Sequence, residues 1–247
     1  MNLVIDIGNS LIKITGFDGL KPVEYKIFDD NQLIDAEDLI KEKSHIYNNL
    51  IISSVRKELL FPDTLFGSYK LFMRFEDNTP VPLVLKYDTP KTLGPDRLAA
   101  AVAAASLYPG KDALAILAGT CITYEFINKN NEYTGGAISP GLMMRFKALN
   151  TFTGKLPLVN KPVKLPEITG KTTQESILSG VIWGAINEID GFVNEYKAKY
   201  PELNVVFSGG DAFFFDKMLK NRIFVTENLV SYGLNQILLY NAEKDNN

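Results

Sequence analysis

Leu3-Val4-Ile5-Asp6-Ile7-Gly8-Asn9-Ser10-Leu11-Ile12-Lys13-Ile14 decides how this chain reads. An apolar run ends in a carboxylate and turns through Gly-Asn-Ser. It resumes on alternate positions at Ile12, Ile14 and Gly16, before the turn signal Phe17-Asp18-Gly19. Alternation with period two belongs to a strand, and glycine beside asparagine is the chemistry of a tight corner. The stretch predicts a β-hairpin whose first corner is Gly8-Asn9-Ser10. A carboxylate at the end of a buried strand is costly unless it has a partner. A hydrated Mg²⁺ is a suitable partner, because it is usually held by one or two carboxylates plus phosphate oxygens. Gly8 lets a phosphate approach the backbone, and Asn9 and Ser10 offer donors. The same residues also suit a plain tight hairpin in which Asp6 caps its own turn.

Working outward, residues 32–41 space their apolar side chains as a helix, and 49–53, 71–73 and 83–85 read as strands. Gly94-Pro95-Asp96-Arg97 opens an alanine-rich helix running to about Leu107, since proline suits the first helical position. Pro109-Gly110 ends it and marks a lobe boundary, giving lobes at 1–110 and 111–247. Strands at 113–117, 122–127 and 137–139 follow, with turns at 118–120 and 128–131. That order repeats the organisation of the chain's start. Residues 175–199 form a long amphipathic helix, on which Gly180 and Gly184 predict close packing against another element and Trp183 a core or interface residue. A strand at 204–207 leads through Ser208-Gly209-Gly210-Asp211-Ala212 into a helix. Phe213-Phe214-Phe215 reads as core, 233–241 as a final helix and 244–247 as a polar tail. The architecture is α/β with two lobes, and a cleft between lobes is the default ligand site.

The chain has 247 residues, enough for one large domain or two lobes. Its 26 basic and 29 acidic residues give a net charge of −3, with no basic block to track a phosphate backbone, so nucleic acid is a poor partner. One cysteine, Cys121, excludes an intramolecular disulfide and fits a reducing compartment. The lone histidine, His45, reads as a surface residue, and so few candidates argue against a Cys/His metal site or a Ser-His-Asp triad. Asp6 interrupts the first apolar run, which is unlike a signal peptide, and no uncharged apolar stretch is long enough to span a membrane. These features lead us to expect a soluble, cytoplasmic protein.

Three further turns carry candidate chemistry. Ala118-Gly119-Thr120-Cys121-Ile122-Thr123 places a hydroxyl and a backbone N–H at a glycine corner, although a plain hairpin explains it equally. Ser208 to Ala212 puts two glycines before a helix, whose N-terminus favours anions. At Gly94 to Arg97, a carboxylate in the first helical turn is stabilised in its ionised form by about 0.3–1 kcal/mol. That predicts Asp96 to be a weak base but a good hydrogen-bond acceptor, sufficient for phosphoryl transfer with its loose transition state. Arg97 can fork onto a carboxylate or phosphate. An Asp at a helix start beside a solvent-facing Arg is the plainer alternative.

Taken together, these segments resemble the type III pantothenate kinases of the acetate and sugar kinase/Hsp70/actin superfamily. The resemblance spans nearly the whole chain. It rests on Asp6-x-Gly8-Asn9-Ser10-x-x-Lys13, Ile52-Ser53-Ser54-Val55 and Tyr87-x-x-Pro90-x-x-Leu93-Gly94-Pro95-Asp96-Arg97. It continues through Gly119-Thr120-x-x-Thr123, Gly135-Gly136-x-Ile138-x-Pro140-Gly141, Leu156-Pro157, Gly170-Lys171-Thr172-Thr173 and Ser179-Gly180. The resemblance implies two RNase-H-like lobes, a homodimer, and transfer of the ATP γ-phosphate to the pantothenate hydroxyl as the first step towards coenzyme A. It implies Asp96 as general base. Asp6, Ile7, Gly8, Asn9, Ser10, Leu11, Ile12, Lys13 and Thr120 would bind ATP, with Asp6 near its Mg²⁺. Tyr87, Gly94, Pro95, Asp96, Arg97 and Thr173 would contact pantothenate, Thr173 from the other subunit.

One departure stands out. The family usually carries Asp-x-Gly-Thr at the second glycine turn, where the Asp ligates a monovalent cation. This chain has Leu117-Ala118-Gly119-Thr120, and a leucine side chain cannot ligate K⁺ or NH₄⁺. The family's Thr-x-Asp reads Thr123-Tyr124-Glu125, which keeps a carboxylate. The cation site is therefore expected to be absent or rebuilt. Three alternatives remain: a kinase of the superfamily acting on another small hydroxyl substrate; a nucleotide-binding, catalytically weak relative serving as a regulatory accessory factor; and an α/β domain with no activity, which would leave four glycine turns to chance.

Overall fold

The computed structural model describes residues 1–57 and 60–244, so the expected polar tail lies, beyond Lys244, outside the described residues. The chain divides into two compact units. The first holds the described residues of Met1–Gly110, Ile127–Gly135 and Asn228–Asn247; the second holds Lys111–Phe126 and Gly136–Glu227.

Unit 1 is built on β1 (Asn2–Ile7), β2 (Ile12–Asp18), β3 (Lys21–Phe28), β4 (Asn49–Ser54) and β5 (Leu71–Arg74), in the order β3-β2-β1-β4-β5. β1, β2 and β3 pair antiparallel; β4 runs parallel to β1, and β5 parallel to β4. Every residue of β1 is buried, the state of a strand covered on both faces, which is why Leu3, Val4 and Ile5 are consecutive apolar residues. Leu3, Ile5 and Ile7 share one cluster with Ala36 and Ile40 of α1 (Leu33–Lys43). After the short β6 (Val84–Leu85) comes α2 (Pro95–Leu107), buried from Arg97 to Ala104. Its alanines let it approach α6 (Leu229–Lys244) closely: a side chain at Gly233 would overlap the Ala99 backbone. Asn235 fixes α6 further, accepting from Asn2 Nδ2 and donating to the Gly19 carbonyl, both at 2.9 Å.

Unit 2 contains β7 (Ala113–Ala118), β8 (Cys121–Ile127), most of β9 (Glu132–Pro140), β10 (Asn204–Ser208) and β11 (Phe224–Val225). Their order is β11-β10-β7-β8-β9, with β10 parallel to β7 and β11 parallel to β10. Read from the other edge, β9-β8-β7-β10-β11 reproduces the strand order of unit 1. The internal repeat of organisation is therefore a repeat of topology, the paired RNase-H-like arrangement expected. The first residues of β9 belong to unit 1, where Leu85 of β6 pairs with Tyr133. The core of unit 2 joins the sheet to α4 (Thr173–Lys199), whose Ile177, Val181, Ile182, Ala185, Ile186, Ile189 and Val193 are buried. Thr172 and Glu175 form a capping box at its start. The sequence reading passed over α3 (Leu142–Thr151), which buries only Leu142 and Phe146.

Two packing expectations are corrected. Gly180 and Gly184 do not mediate a close approach within the chain. Both are exposed, and an added Cβ would meet nothing. Between helices, Gly233 of α6 does this. The Phe213–Phe215 run is not uniformly core either. In α5 (Ala212–Asp216) successive residues point about 100° apart, so Phe215 is buried while Phe213 stays 52% exposed. Trp183 is half-buried, with Nε1 donating to the Pro166 carbonyl at 3.0 Å, and His45 is exposed. Among the described residues no helix is long and apolar enough to cross a membrane.

Candidate active site

In unit 1 the β1–β2 ladder sets Asp6 directly opposite Lys13. Gly8 N–H closes the corner on the Leu11 carbonyl at 2.9 Å, leaving Asn9, Ser10 and Leu11 exposed at its tip. Arg56 braces this corner: its Nε donates to the Gly8 carbonyl at 2.8 Å and its Nη1 to Asp30 at 2.7 Å. Asp6 is only 6% exposed. Burial pushes its carboxyl from 3.8 up to about 6, Lys13 pulls it down, and Asp96 pushes it up. Asp6, Lys13 and Asp96 therefore act on one another's charge.

Asp96 is the second residue of α2, after the N-cap Gly94 and Pro95. A Cβ at Gly94 would come within 2.7 Å of Asp96 Oδ1, so glycine there keeps the carboxylate uncrowded. Oδ1 accepts from the Arg97 N–H at 2.9 Å. Burial nevertheless raises the Asp96 carboxyl, opposed by the backbone donors, the Arg97 charge and Lys13. This corrects the expectation of a weak base held down by the helix N-terminus. Desolvation is the largest influence on Asp96 and shifts its carboxyl towards holding a proton.

Arg97 is 7% exposed, which overturns the solvent-facing alternative. Its Nη2 donates to the Tyr133 hydroxyl at 3.2 Å, and its guanidinium carbon lies 5.9 Å from the Tyr87 ring centroid. The Tyr87 and Tyr133 rings are 5.8 Å apart. Gly135 has φ +111°, and a side chain there would press on Tyr87 at 3.3 Å. The sequence reading missed Tyr133, since only the β6–β9 pairing brings it beside the helix start. It also gave Arg56 no role, although Ser53-Ser54-Val55 lies immediately before it.

Unit 2 supplies Thr120 at the exposed β7–β8 corner, where Gly119 N–H donates to the Cys121 carbonyl at 2.9 Å. Gly209 has φ +106° and lies against Ala118, while Asp211 N–H donates to the Ala118 carbonyl at 3.0 Å. Thr173 is the exposed first residue of α4. Site residues that the sequence grouped together are thus distributed: Asp6 to Lys13, Tyr87 and Gly94 to Arg97 in unit 1, and Thr120 and Thr173 in unit 2.

The donor set tests which ions fit. Asp6 is a buried carboxylate at a glycine corner, raised by burial, and a Mg²⁺ arriving with phosphate oxygens would offset that penalty. Where the family's Asp would ligate a monovalent cation, the Leu117 side chain offers no oxygen. Downstream, Thr123 Oγ1 is buried without a hydrogen-bond partner, and Glu125 is fully buried.

The family profile described as type III pantothenate kinase matches residues 2–195. The type III pantothenate kinase of Bacteroides fragilis is 44% identical over 241 residues, covering 98% of both chains. That of Cytophaga hutchinsonii is 45% identical over 242 residues, covering 98% of this chain and 100% of its own. Among solved structures, a Campylobacter jejuni protein described as a Baf family transcriptional activator matches with TM-score 0.62 at 21% identity, covering 98% of this chain and 99% of that one. A glucokinase from an Antarctic psychrotroph matches with TM-score 0.52 at 12% identity, covering 97% and 98%. The two structural likenesses establish the actin-like kinase fold alone. The profile and the curated relatives establish more: this chain belongs to the type III pantothenate kinases.

Proposed function

We propose that the chain phosphorylates pantothenate with ATP, giving 4'-phosphopantothenate at the entry to coenzyme A biosynthesis, and that the charged cluster of unit 1 is its catalytic centre. The observation that carries this reading is Asp96: a half-buried carboxyl, raised by desolvation, at a helix start beside Asp6 and Lys13. Asp96 orients the pantothenate hydroxyl and takes its proton late, which a loose phosphoryl-transfer transition state permits. Arg97, held by Tyr133 and Tyr87, presents a fixed guanidinium to the substrate with Gly94 and Pro95. The Asp6 to Lys13 corner and Thr120 bind the nucleotide. Mg²⁺ beside Asp6 would neutralise charge on the phosphates.

The working form is a homodimer in the cytoplasm. In support, α4 turns Gly180, Gly184 and Gly191 outward with nothing beside them. Next to them lies an open apolar groove of about 740 Å³ lined by Ala148, Leu149, Phe152, Leu156, Ile177 and Val181. Phe152 is 85% exposed, an unusual state for a large apolar side chain that a second subunit would relieve. Thr173, on the same groove, would reach the partner's pantothenate. With Leu117 in place of the family's Asp, turnover is independent of K⁺ and NH₄⁺.

The test is ADP release from Mg-ATP on adding pantothenate, with and without K⁺ or NH₄⁺, beside an Asp96→Asn variant. Pantothenate-dependent turnover lost in the variant is expected. ATP binding without pantothenate-dependent turnover would return the accessory-factor reading.

A further inference from the structure

We infer that Arg145 and Glu188 are positioning residues for the nucleotide, acting through Thr120; the inference rests on the reading of Thr120 as an ATP contact. Glu188 of α4 gathers three side chains. Its Oε1 accepts from the Tyr124 hydroxyl at 3.1 Å and the Ser139 hydroxyl at 2.5 Å, and its Oε2 from Arg145 Nη2 at 2.6 Å. Arg145 of α3 also donates through Nε to the Pro140 carbonyl at 2.8 Å and through Nη2 to Ser139 Oγ at 3.4 Å. The side chains of the pair are 20% and 23% exposed. Such a pair is more than a screened surface contact, because one planar guanidinium spans a carboxylate and a backbone carbonyl at fixed geometry.

Besides Tyr124 of β8, the network grips Ser139 and Pro140, the last two residues of β9. The next residue, Gly141, donates its N–H to the Thr120 carbonyl at 3.0 Å. No larger residue fits there, since a Cβ would overlap the Gly119 carbonyl and come within 2.5 Å of the Thr120 carbonyl. The route from Glu188 through Arg145 and Pro140 to Gly141 thus ends on the backbone of the residue assigned to the nucleotide. The Gly119–Cys121 hydrogen bond closes this corner without help from β9. What the Gly141 brace adds is the orientation of Thr120, whose own side chain is exposed. Displacing Pro140 would tilt Thr120 while leaving Asp96, Arg97 and Tyr87 in unit 1 with their contacts intact.

The test is a kinetic comparison of Arg145→Lys, Glu188→Gln, Thr120→Ala and the double variant Arg145→Lys/Thr120→Ala, each with a thermal unfolding midpoint. Lysine keeps the charge beside Glu188 but cannot bridge to Pro140 at the same time. Arg145→Lys should raise KM for ATP about 3–10-fold, the equivalent of one lost hydrogen bond, while KM for pantothenate changes by less than about twofold. Glu188→Gln should act in the same direction, and serves if Arg145→Lys folds poorly. In the double variant the two losses should combine to less than their product, the mark of residues acting through one contact. If Thr120→Ala leaves KM for ATP unchanged, the nucleotide reading of Thr120 falls and the inference with it. If Thr120→Ala raises KM for ATP but both network variants leave it unchanged, the positioning role alone is overturned. Network variants that weaken both substrates equally in step with a lower melting point, or a multiplicative double variant, would likewise reduce the network to a structural brace.

Discussion

Gly8 and Gly119 each close the hairpin between the first two strands of a sheet of the same topology, Gly8 on the Leu11 carbonyl and Gly119 on the Cys121 carbonyl, both at 2.9 Å. Two residues before each glycine the corners diverge. Asp6 stands at the first, opposite Lys13 and within the influence of Asp96; Leu117 stands at the second. Their supports also differ. Arg56 grips the Gly8 corner through a side chain, whereas the Gly141 N–H holds the Gly119 corner through the backbone. One strand plan has been fitted with two kinds of site, one that concentrates titratable charge and one that offers shape and neutral donors. Charge-dependent chemistry should therefore respond to changes at the first, and nucleotide fit to changes at the second.

The largest expected effect is at the charged cluster. Asp96→Asn should lower kcat by about 10²–10⁴-fold, the usual contribution of a positioned general base, with little change in the melting point. An unchanged kcat would remove the catalytic centre from unit 1.

Asp6→Asn should separate activity from stability. It should raise KM for Mg-ATP by at least about tenfold through loss of a charge-assisted contact, yet raise the melting point of the ligand-free protein near neutral pH. The sign follows from the shift. Asp6 titrates near 6 in the fold and at 3.8 when unperturbed, so the native state binds more protons between these values. Stability of the ligand-free protein should therefore decline as pH rises from about 4 through 6, by on the order of 1–3 kcal/mol, and the variant should lack that decline. Mg-ATP affinity should run the other way, weakening as pH falls through about 6 and Asp6 takes up its proton. A variant that melts lower at pH 7.5 would mean Asp6 is a structural partner of Lys13 rather than an ion-binding carboxylate.

The smallest effects test the neutral corner. Replacing K⁺ by Na⁺ should change wild-type turnover by less than about twofold, because hard monovalent cations need oxygen ligands and the Leu117 side chain supplies none. Leu117→Asp should bring salt dependence with it, read as K⁺ stimulation of kcat/KM. Full K⁺ dependence in the wild type would show that other oxygens rebuild the site.

Much of this was legible because it is local. The Asp6 corner shows as a break in an apolar run, and the α2 start shows as Gly-Pro before Asp96. What misled was equally local. Gly180 and Gly184, four apart on a helix, look like a packing seam, but spacing does not say which face meets the core. Asp96 looked like a carboxylate favoured by a helix dipole, but spacing does not reveal how much water its surroundings exclude.

The sequence by itself determined the alternation of elements, the glycine corners, the family and the absence of an acid at position 117. These follow from residue type and from spacing over a few positions. Only the tertiary structure decided that α6, more than a hundred residues beyond α2, packs against it through Gly233, that Tyr133 of β9 holds Arg97, and that Arg145 and Glu188 meet at the end of β9. The physical reason is that burial, hydrogen-bond partnership and the raised carboxyls of Asp6 and Asp96 depend on atoms that folding brings together from distant parts of the chain, which no local pattern records.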